Sequence, residues 1–492
     1  MSNLPVLHVV LPLIAAAICA LFKDGKKSFN VALLTTWACF FVAISISALV
    51  GREGSTTYDL GGWPAPVGIE YRIDELNSFV ILLLTFVGSI MVPYAKKSIE
   101  SELPKEKHSL FYSMYLLCFA GLLGIVSTND LFNIYVFLEI SSLSTYTLIA
   151  MGKDRQALTA SFQYLVLGTI GATFILIGIG LLYMMTGTLN ILDMSTLLGD
   201  VADPRPIQAA FAFLTLGLAL KIAMFPLHIW LTNAYCYSPS FVSAFLASTA
   251  TKVSLYVFIR VIYTLFGIEY SFGEMPLSLI LVVLGVAGVL VGSLTAIFQH
   301  NVKRMLGFSS IAQLGYISLG LALATNTGLT AAILHMGNHA LAKGALFLCV
   351  GAVYYRMGNT KAEYFKGIAK KMPYTMAAFV IAGFSLIGIP GTAGFISKWY
   401  FFKALVEEGW WAALIVMLAS SIMAVIYIWR IIEKAYFEKP LKTARAKKVK
   451  EAPLALLIPI WILALANLYF GVFTEFSLGL ASQAASSLMA GF

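Results

Sequence analysis

The sequence predicts an all-α membrane protein of about fourteen transmembrane helices, two of them broken, arranged as two inverted five-helix repeats. Three observations carry that reading. Hydrophobic residues make up 59% of the chain and charged residues 12%, with a mean hydropathy of +0.85; a soluble domain carries about 25% charge. Apolar runs of about 20 residues, enough to cross a bilayer as a helix, recur along the whole chain. Two of those runs, five spans apart, are interrupted by a proline that has a lysine of the same apolar run nearby.

The runs begin near Leu4, Asn30, Phe79, Leu110, Leu131, Leu158, Ile207, Phe241, Met275, Met305, Leu329, Tyr374, Trp411 and Leu454, and are labelled TM1 to TM14. TM1 is itself the first span, so no cleavable signal pattern is needed. The connecting loops alternate in charge, with a few exceptions such as Arg52, Arg72 and Arg205. Basic loops follow TM1 (Lys23, Lys26, Lys27), TM3 (Lys96, Lys97, Lys105, Lys107), TM5 (Lys153, Arg155), TM9 (Lys303, Arg304), TM11 (Arg356, Lys361, Lys366, Lys370, Lys371) and TM13 (Arg430 to Lys450). Positive loops stay on the cytoplasmic side, which places both termini outside. The net charge of +9 sits in these loops rather than on one solvated face, so it orients the chain and does not point to nucleic acid.

TM7 contains Lys221-Ile-Ala-Met-Phe-Pro226-Leu-His228, and TM12 contains Gly388-Ile-Pro390-Gly391-Thr-Ala-Gly394-Phe-Ile-Ser-Lys398. Proline removes a backbone donor and clashes with the preceding turn. In lipid, the carbonyls so freed need partners inside the protein or water. An odd offset of five spans inverts the second copy relative to the first. The repeats are then TM4–TM8 and TM9–TM13, and the chain divides into 1–108 (TM1–TM3), 109–270, 271–436, and 437–492 (basic loop and TM14). Broken helices at matching places in two halves point to a transport site; an ordinary kink is the plainer alternative. The breaks at Pro226 and Pro390 are expected to face inward onto hydrated cavities.

Charges inside apolar runs cost about 2.5–3.5 kcal/mol each on insertion scales. Glu139 in TM5, Lys221 in TM7, Lys252 in TM8, Lys343 in TM11 and Lys398 in TM12 are such charges. Glu139 and Lys221 can pair if TM5 and TM7 touch; a structural ion pair or a neutral glutamic acid is the alternative. Lys252 is too deep to snorkel, and desolvation favours the neutral amine that a proton carrier must reach. His335, His339 and Lys343 recur at every fourth residue and form a stripe on one helix face. Each step is about 6 Å along the axis, a water-bridged hop for a proton. A zinc site is rejected because no third ligand is suggested and Lys343 repels the ion. Lys398 lies after the TM12 break, where a helix-end lysine reaching water is the alternative, and His228 is a weaker candidate after the TM7 break.

Cys19, Cys39, Cys118, Cys236 and Cys349 are far apart and lack the spacing of a zinc, dithiol or iron–sulfur site; Cys236 reads as a loop residue. No Gly-rich nucleotide fingerprint or phosphate-binding lysine motif is present. No cofactor or redox centre is expected in this chain. One carboxylate and four lysines suit protons and repel sodium.

Several segments resemble the antiporter-like subunits of respiratory complexes. They are Phe132-Asn133 through Glu139, Leu220 through Trp230, Ser238-Pro239-Ser-Phe-Val-Ser-Ala244 with Lys252, Asn301-Val-Lys303-Arg304-Met-Leu-Gly-Phe-Ser309-Ser310, and Gly388 through Lys398. Within that family the chain resembles most the D-type subunits of Mrp sodium/proton antiporters, on Asp59-Leu-Gly-Gly-Trp63 through Asp74; lysine at 398 resembles both that subunit and the smallest NADH dehydrogenase member. The resemblance implies a fourteen-helix, proton-conducting subunit in a prokaryotic inner membrane, ending just after TM14. It implies partner membrane subunits, among them a homologous antiporter-like one. Glu139 and Lys221 would lie beside a neighbouring subunit, Lys252 would be the first central relay group, His335, His339 and Lys343 would continue the relay, and Lys398 would end it. A proton-pumping subunit of a hydrogenase-like or NADH dehydrogenase-like complex fits the same residues, with enzymatic activity then residing in other chains. A scaffold whose charges only pair with neighbours is the third alternative.

Overall fold

The computed structural model describes residues 3–201, 204–441 and 449–491. Among them, twelve helices are long and apolar enough to cross a membrane, and the chain is a multi-pass membrane protein. TM1 to TM6 are Leu4–Leu21, Gly25–Glu53, Glu75–Glu102, His108–Ser127, Leu131–Ala150 and Gln156–Thr186. TM9, TM10, TM11, TM13 and TM14 are Leu277–Phe298, Val302–Ala322, Asn326–Met357, Trp411–Tyr436 and Leu454–Val472. TM5 and TM12 fall outside the twelve. TM5 carries Glu139 and a run of serines and threonines, and TM12 is cut into two 15-residue halves.

TM10 and TM11 are buried almost throughout and form the axis of the bundle. TM11 packs on TM8, TM10, both halves of TM12 and TM14. TM2, TM6, TM9 and TM13 lie at the periphery and expose Leu34, Phe162, Leu279 and Ile415. Apolar side chains on the outside are the lowest-energy surface where the surrounding solvent is hydrocarbon.

Both expected breaks are present. TM7 runs Pro204–Ile222, leaves the helix through Ala223–His228 and resumes as Ile229–Tyr237. Ala223 takes φ +64°, and the Trp230 indole donates to the Leu220 carbonyl at 3.0 Å. TM12 runs Pro373–Ile387 and Ala393–Glu407. Its gap uses Gly388 and Gly391 at φ +91° and +83°, conformations that a side chain disfavours.

Several expectations need correction. Pro226 and Pro390 are exposed on the outside of the chain rather than turned inward. Proline has no N–H to satisfy, so its ring tolerates an apolar surround while the polar carbonyl ends face the interior. TM8 is also broken: Ser240–Ser248 and Ala250–Ile259 meet at Thr249, and a π-helical turn, Arg260–Leu265, follows. The architecture is not purely helical. Strand β1 (Thr56–Asp59) pairs antiparallel with β2 (Glu70–Ile73), with Thr56 opposite Ile73. β2 alternates half-buried Glu70 and Arg72 with buried Tyr71 and Ile73, the period of a one-sided strand. A further helix, Glu475–Ala490, follows TM14 and packs on TM3 and TM11. Lys303 and Arg304 belong to the first turn of TM10, and Cys236 lies buried in the second half of TM7. Arg430 and Lys434 are helical, while residues 442–448 of that basic loop lie outside the described residues.

One stability prediction follows from the TM12 break. A Cβ at Gly394 would sit 1.8 Å from the Ser385 carbonyl oxygen, so the two halves could not remain in contact. Gly394→Ala is expected to cost about 3 kcal/mol or more, at the upper end of overpacking penalties. It should lower the yield and thermal midpoint of the purified complex. Wild-type values would show that the halves separate freely.

Candidate functional site

Three of the four membrane lysines sit at the C-terminal end of a half-helix. Lys221 is in the last turn of the first half of TM7. Lys252 reaches back to the Ala247 carbonyl, freed where TM8 breaks at Thr249. Lys398 reaches the Ile387 carbonyl, the last residue before the TM12 gap, at 2.7 Å. Unpaired carbonyls and the negative end of the helix dipole both favour a cation there. For Lys252 and Lys398 the break therefore supplies the ammonium with partners that an intact helix would not offer, whereas Lys221 is held by side chains of TM5. Lys343 follows the same chemistry across helices, donating to the Leu306 carbonyl of TM10 at 2.7 Å and to the Ser309 hydroxyl.

Glu139 and Lys221 meet as expected. Nζ lies 3.1 Å from Glu139 Oε1 and 2.9 Å from the Ser142 hydroxyl. The lysine is buried, whereas the Glu139 side chain is 22% exposed at the edge of the chain. A cavity of about 20 Å³ separates Lys221 from Ala250, Val253 and Ser254 of TM8. That space holds about one water, and the polar groups around it can bind one. It lies between the Glu139–Lys221 pair and the helix that carries Lys252.

Lys252 and Lys343 are fully buried. Close approach of TM8 to TM11 depends on glycine: a Cβ at Gly344 would lie 2.8 Å from Ser248 Oγ. Lys252 is within electrostatic reach of His335, His339 and Lys343. His335 is held on both sides, with Nε2 2.9 Å from Gln313 Oε1 and Nδ1 2.9 Å from Ser397 Oγ. The His339 ring lies parallel to that of His335, 6.0 Å away. Neither His339 nitrogen has a hydrogen-bond partner among the described residues, nor does Ser248 Oγ. Buried polar atoms without protein partners are positions for water. The TM11 stripe is thus a line of groups spaced for bridging water, not a chain of direct hydrogen bonds.

Lys398 ends the line. Its ammonium also donates to Ser421 at 3.1 Å and lies 5.1 Å over the Tyr316 ring, whose hydroxyl reaches Ser420 at 2.6 Å. It is buried, so it is not a helix-end lysine reaching water. His228 stacks on Phe225 at 5.3 Å within the TM7 break and lies 6.3 Å from the Phe308 ring. Sequence reasoning missed Ser142 and Ser421, which hold Lys221 and Lys398, and Gln313 and Ser397, which hold the His335 ring. Ser142 alone had a local signal, one turn after Glu139. It also missed the buried pair Arg260–Asp74, which joins the π-turn of TM8 to the start of TM3 through Asn77 and Tyr256.

Residues 128–424 match the family model described as NADH:quinone oxidoreductase/Mrp antiporter, TM. The chain is 40% identical over 487 residues to NADH-quinone oxidoreductase subunit N of Desulforudis audaxviator, covering 96% of each. It is 29% identical over 488 residues to the D-type Na(+)/H(+) antiporter subunit of Alkalihalophilus pseudofirmus, covering 98% of this chain and 97% of that one. Among solved structures, a chain of the archaeal membrane-bound sulfane sulfur reductase superimposes with TM-score 0.91 at 30% identity, over 99% of this chain and 98% of that one. A chain of the Mrp complex from Dietzia gives 0.90 at 25% identity, with the same coverage. Both are subunits of multi-subunit membrane complexes. The matched segment contains the broken helices and every buried lysine described above, and the chain belongs to the NADH:quinone oxidoreductase/Mrp antiporter transmembrane family as an antiporter-like, proton-conducting membrane subunit.

Proposed function

We propose that this chain carries protons through the membrane domain of a redox-driven complex, along Glu139–Lys221, Lys252, His339 with His335, Lys343 and Lys398. The observation that carries the relay is the set of buried lysines, of which, among the described residues, only Lys221 has a carboxylate partner. An ammonium held by carbonyls and hydroxyls has no counter-ion to lock its proton in place. Repeats of TM4–TM8 (109–270) and TM9–TM13 (271–436) put a broken helix in each half, TM7 and TM12, which supports a half-channel in each. The exposed edge of Glu139 supports a homologous subunit seated beside the first pair. The charge alternation supports both termini outside a prokaryotic inner membrane.

The redox-driven assignment is favoured by the higher identity, over the full length, to the oxidoreductase relative. A second reading, an Mrp-type Na+/H+ antiporter subunit, is favoured by the outer segment Asp59 to Asp74. The test is purification of the native complex and sealed-vesicle measurements of pH. Co-purifying dehydrogenase or hydrogenase subunits, with acidification driven by an electron donor, are expected. Small membrane subunits alone, with pH change driven by a sodium gradient, would reverse the assignment.

A further inference from the structure

The Asn301-Val-Lys303-Arg304 motif is more than a loop that orients the chain. Lys303 is 3% exposed, with its ammonium 3.0 Å from the Ser238 carbonyl and 3.1 Å from the Ser243 hydroxyl. It borders a polar cavity of about 440 Å³ that opens among the basic loops and is lined by Glu102, Asp154, Cys236, Lys303, Arg304 and Lys361. Glu102 lies within electrostatic reach of Lys303 and accepts from the Ser240 amide at 3.0 Å. From Lys303 two short routes lead inward. Along TM10, Leu306 and Ser309, one and two turns further on, are the acceptors of Lys343. Along TM8, Ser243 lies one turn before Ala247, the acceptor of Lys252. Each turn is about 5.4 Å, a distance that a single water bridges. Lys303 therefore stands between the large polar cavity and both central lysines.

We propose that this cavity is the port by which protons enter the relay from the basic-loop face, with Glu102 and Lys303 as the receiving groups that feed Lys252 and Lys343. The inference rests on the proton-conducting reading above. The cavity is large and polar enough to stay filled with water, which delivers protons to Glu102. A buried lysine at its floor passes charge inward through hydroxyl and water contacts while its own position stays fixed by Ser238 and Ser243.

Cys236 provides a reporter. It lines the cavity, whereas the other four cysteines are fully buried. The intact complex in oriented vesicles is treated from one side with a membrane-impermeant methanethiosulfonate, and labelling is read by mass. Labelling of Cys236 from the basic-loop face alone is expected, with a fall in proton transport of at least fivefold. The C236S chain should transport equally with and without the reagent. No labelling from that face, or full labelling with unchanged transport, overturns the port. Lys303→Met is expected to lower transport at least tenfold in assembled complex, and a rate within twofold of wild type overturns the assignment of Lys303. If Lys303→Met fails to assemble, Lys303→Arg keeps a donor to Ser238 and Ser243 but does not release its proton. Wild-type transport by that variant overturns the proposal, and slow transport supports it. Labelling does not depend on transport, and the unmodified complex tests conduction by itself, so failure of the port and failure of the proton-conducting reading are separable.

Discussion

Lys221→Ala and Glu139→Ala are each expected to reduce coupled proton transport at least tenfold while the complex still assembles. Among the described residues, the 3.1 Å pair is the one place where a membrane lysine of the relay faces a carboxylate. Its strength depends on charge nearby, because opposite charges favour the ionised forms and burial disfavours them. Opening the pair changes the field felt across the small cavity beside TM8 and so couples Lys221 to Lys252. Removing one partner of a fully buried pair costs about 3–5 kcal/mol. Glu139 is 22% exposed, so water or a proton offsets the loss of Lys221, and assembly survives. Glu139→Ala leaves Lys221 with Ser142, and the neutral amine relieves the burial cost. The measurement is a pH-sensitive dye in sealed vesicles, alongside the amount of complex recovered. Near wild-type transport by either variant sinks the assignment. Lost assembly in both, with normal transport per surviving complex, moves the scaffold reading ahead.

The features that were legible in the sequence are those with local contrast. A lysine inside an apolar run stands out against every neighbour, and the TM7 and TM12 breaks are written in proline and glycine. The break in TM8 has no such mark: Ser248-Thr249-Ala250 carries no proline or glycine, and the discontinuity comes from tertiary packing. For the same reason the acceptors of Lys252 and Lys343 were invisible, since Ala247 and Leu306 act through backbone carbonyls. Lys303 was legible as a basic residue but not as a buried one, because sequence cannot separate the last loop residue from the first helical turn. Asp74 and Arg260 are 186 residues apart, and neither signals the other. The orientation of Pro226 and Pro390 was misread because a break was equated with the residue that causes it. The polar consequence of a helix break falls on carbonyls near the end of the preceding half, and Leu220 and Ile387 there accept from the buried side chains of Trp230 and Lys398.

Lys252→Arg distinguishes a lysine that carries protons from one that merely holds a charge. Lys252 has no carboxylate partner among the described residues; its ammonium rests on the Ala247 carbonyl and lies 3.4 Å from Thr251 Oγ1. Arginine preserves a positive charge at the end of the broken helix, where the dipole favours it. It does not give up its proton at working pH. If Lys252 shuttles protons, the substitution stops turnover although the charge remains, and at least a tenfold loss is expected. If Lys252 is a fixed electrostatic post, arginine serves and transport continues. The site is fully buried, so the larger guanidinium could also fail through overpacking, which typically costs about 1–3 kcal/mol. Lys252→Met supplies the control, because it fills similar volume and carries neither charge nor proton. A carrier predicts that both variants assemble and both stop transport. A post predicts that arginine retains transport and methionine does not. Wild-type rates in Lys252→Arg vesicles would remove Lys252 from the list of proton carriers and leave Lys343 to accept protons without it.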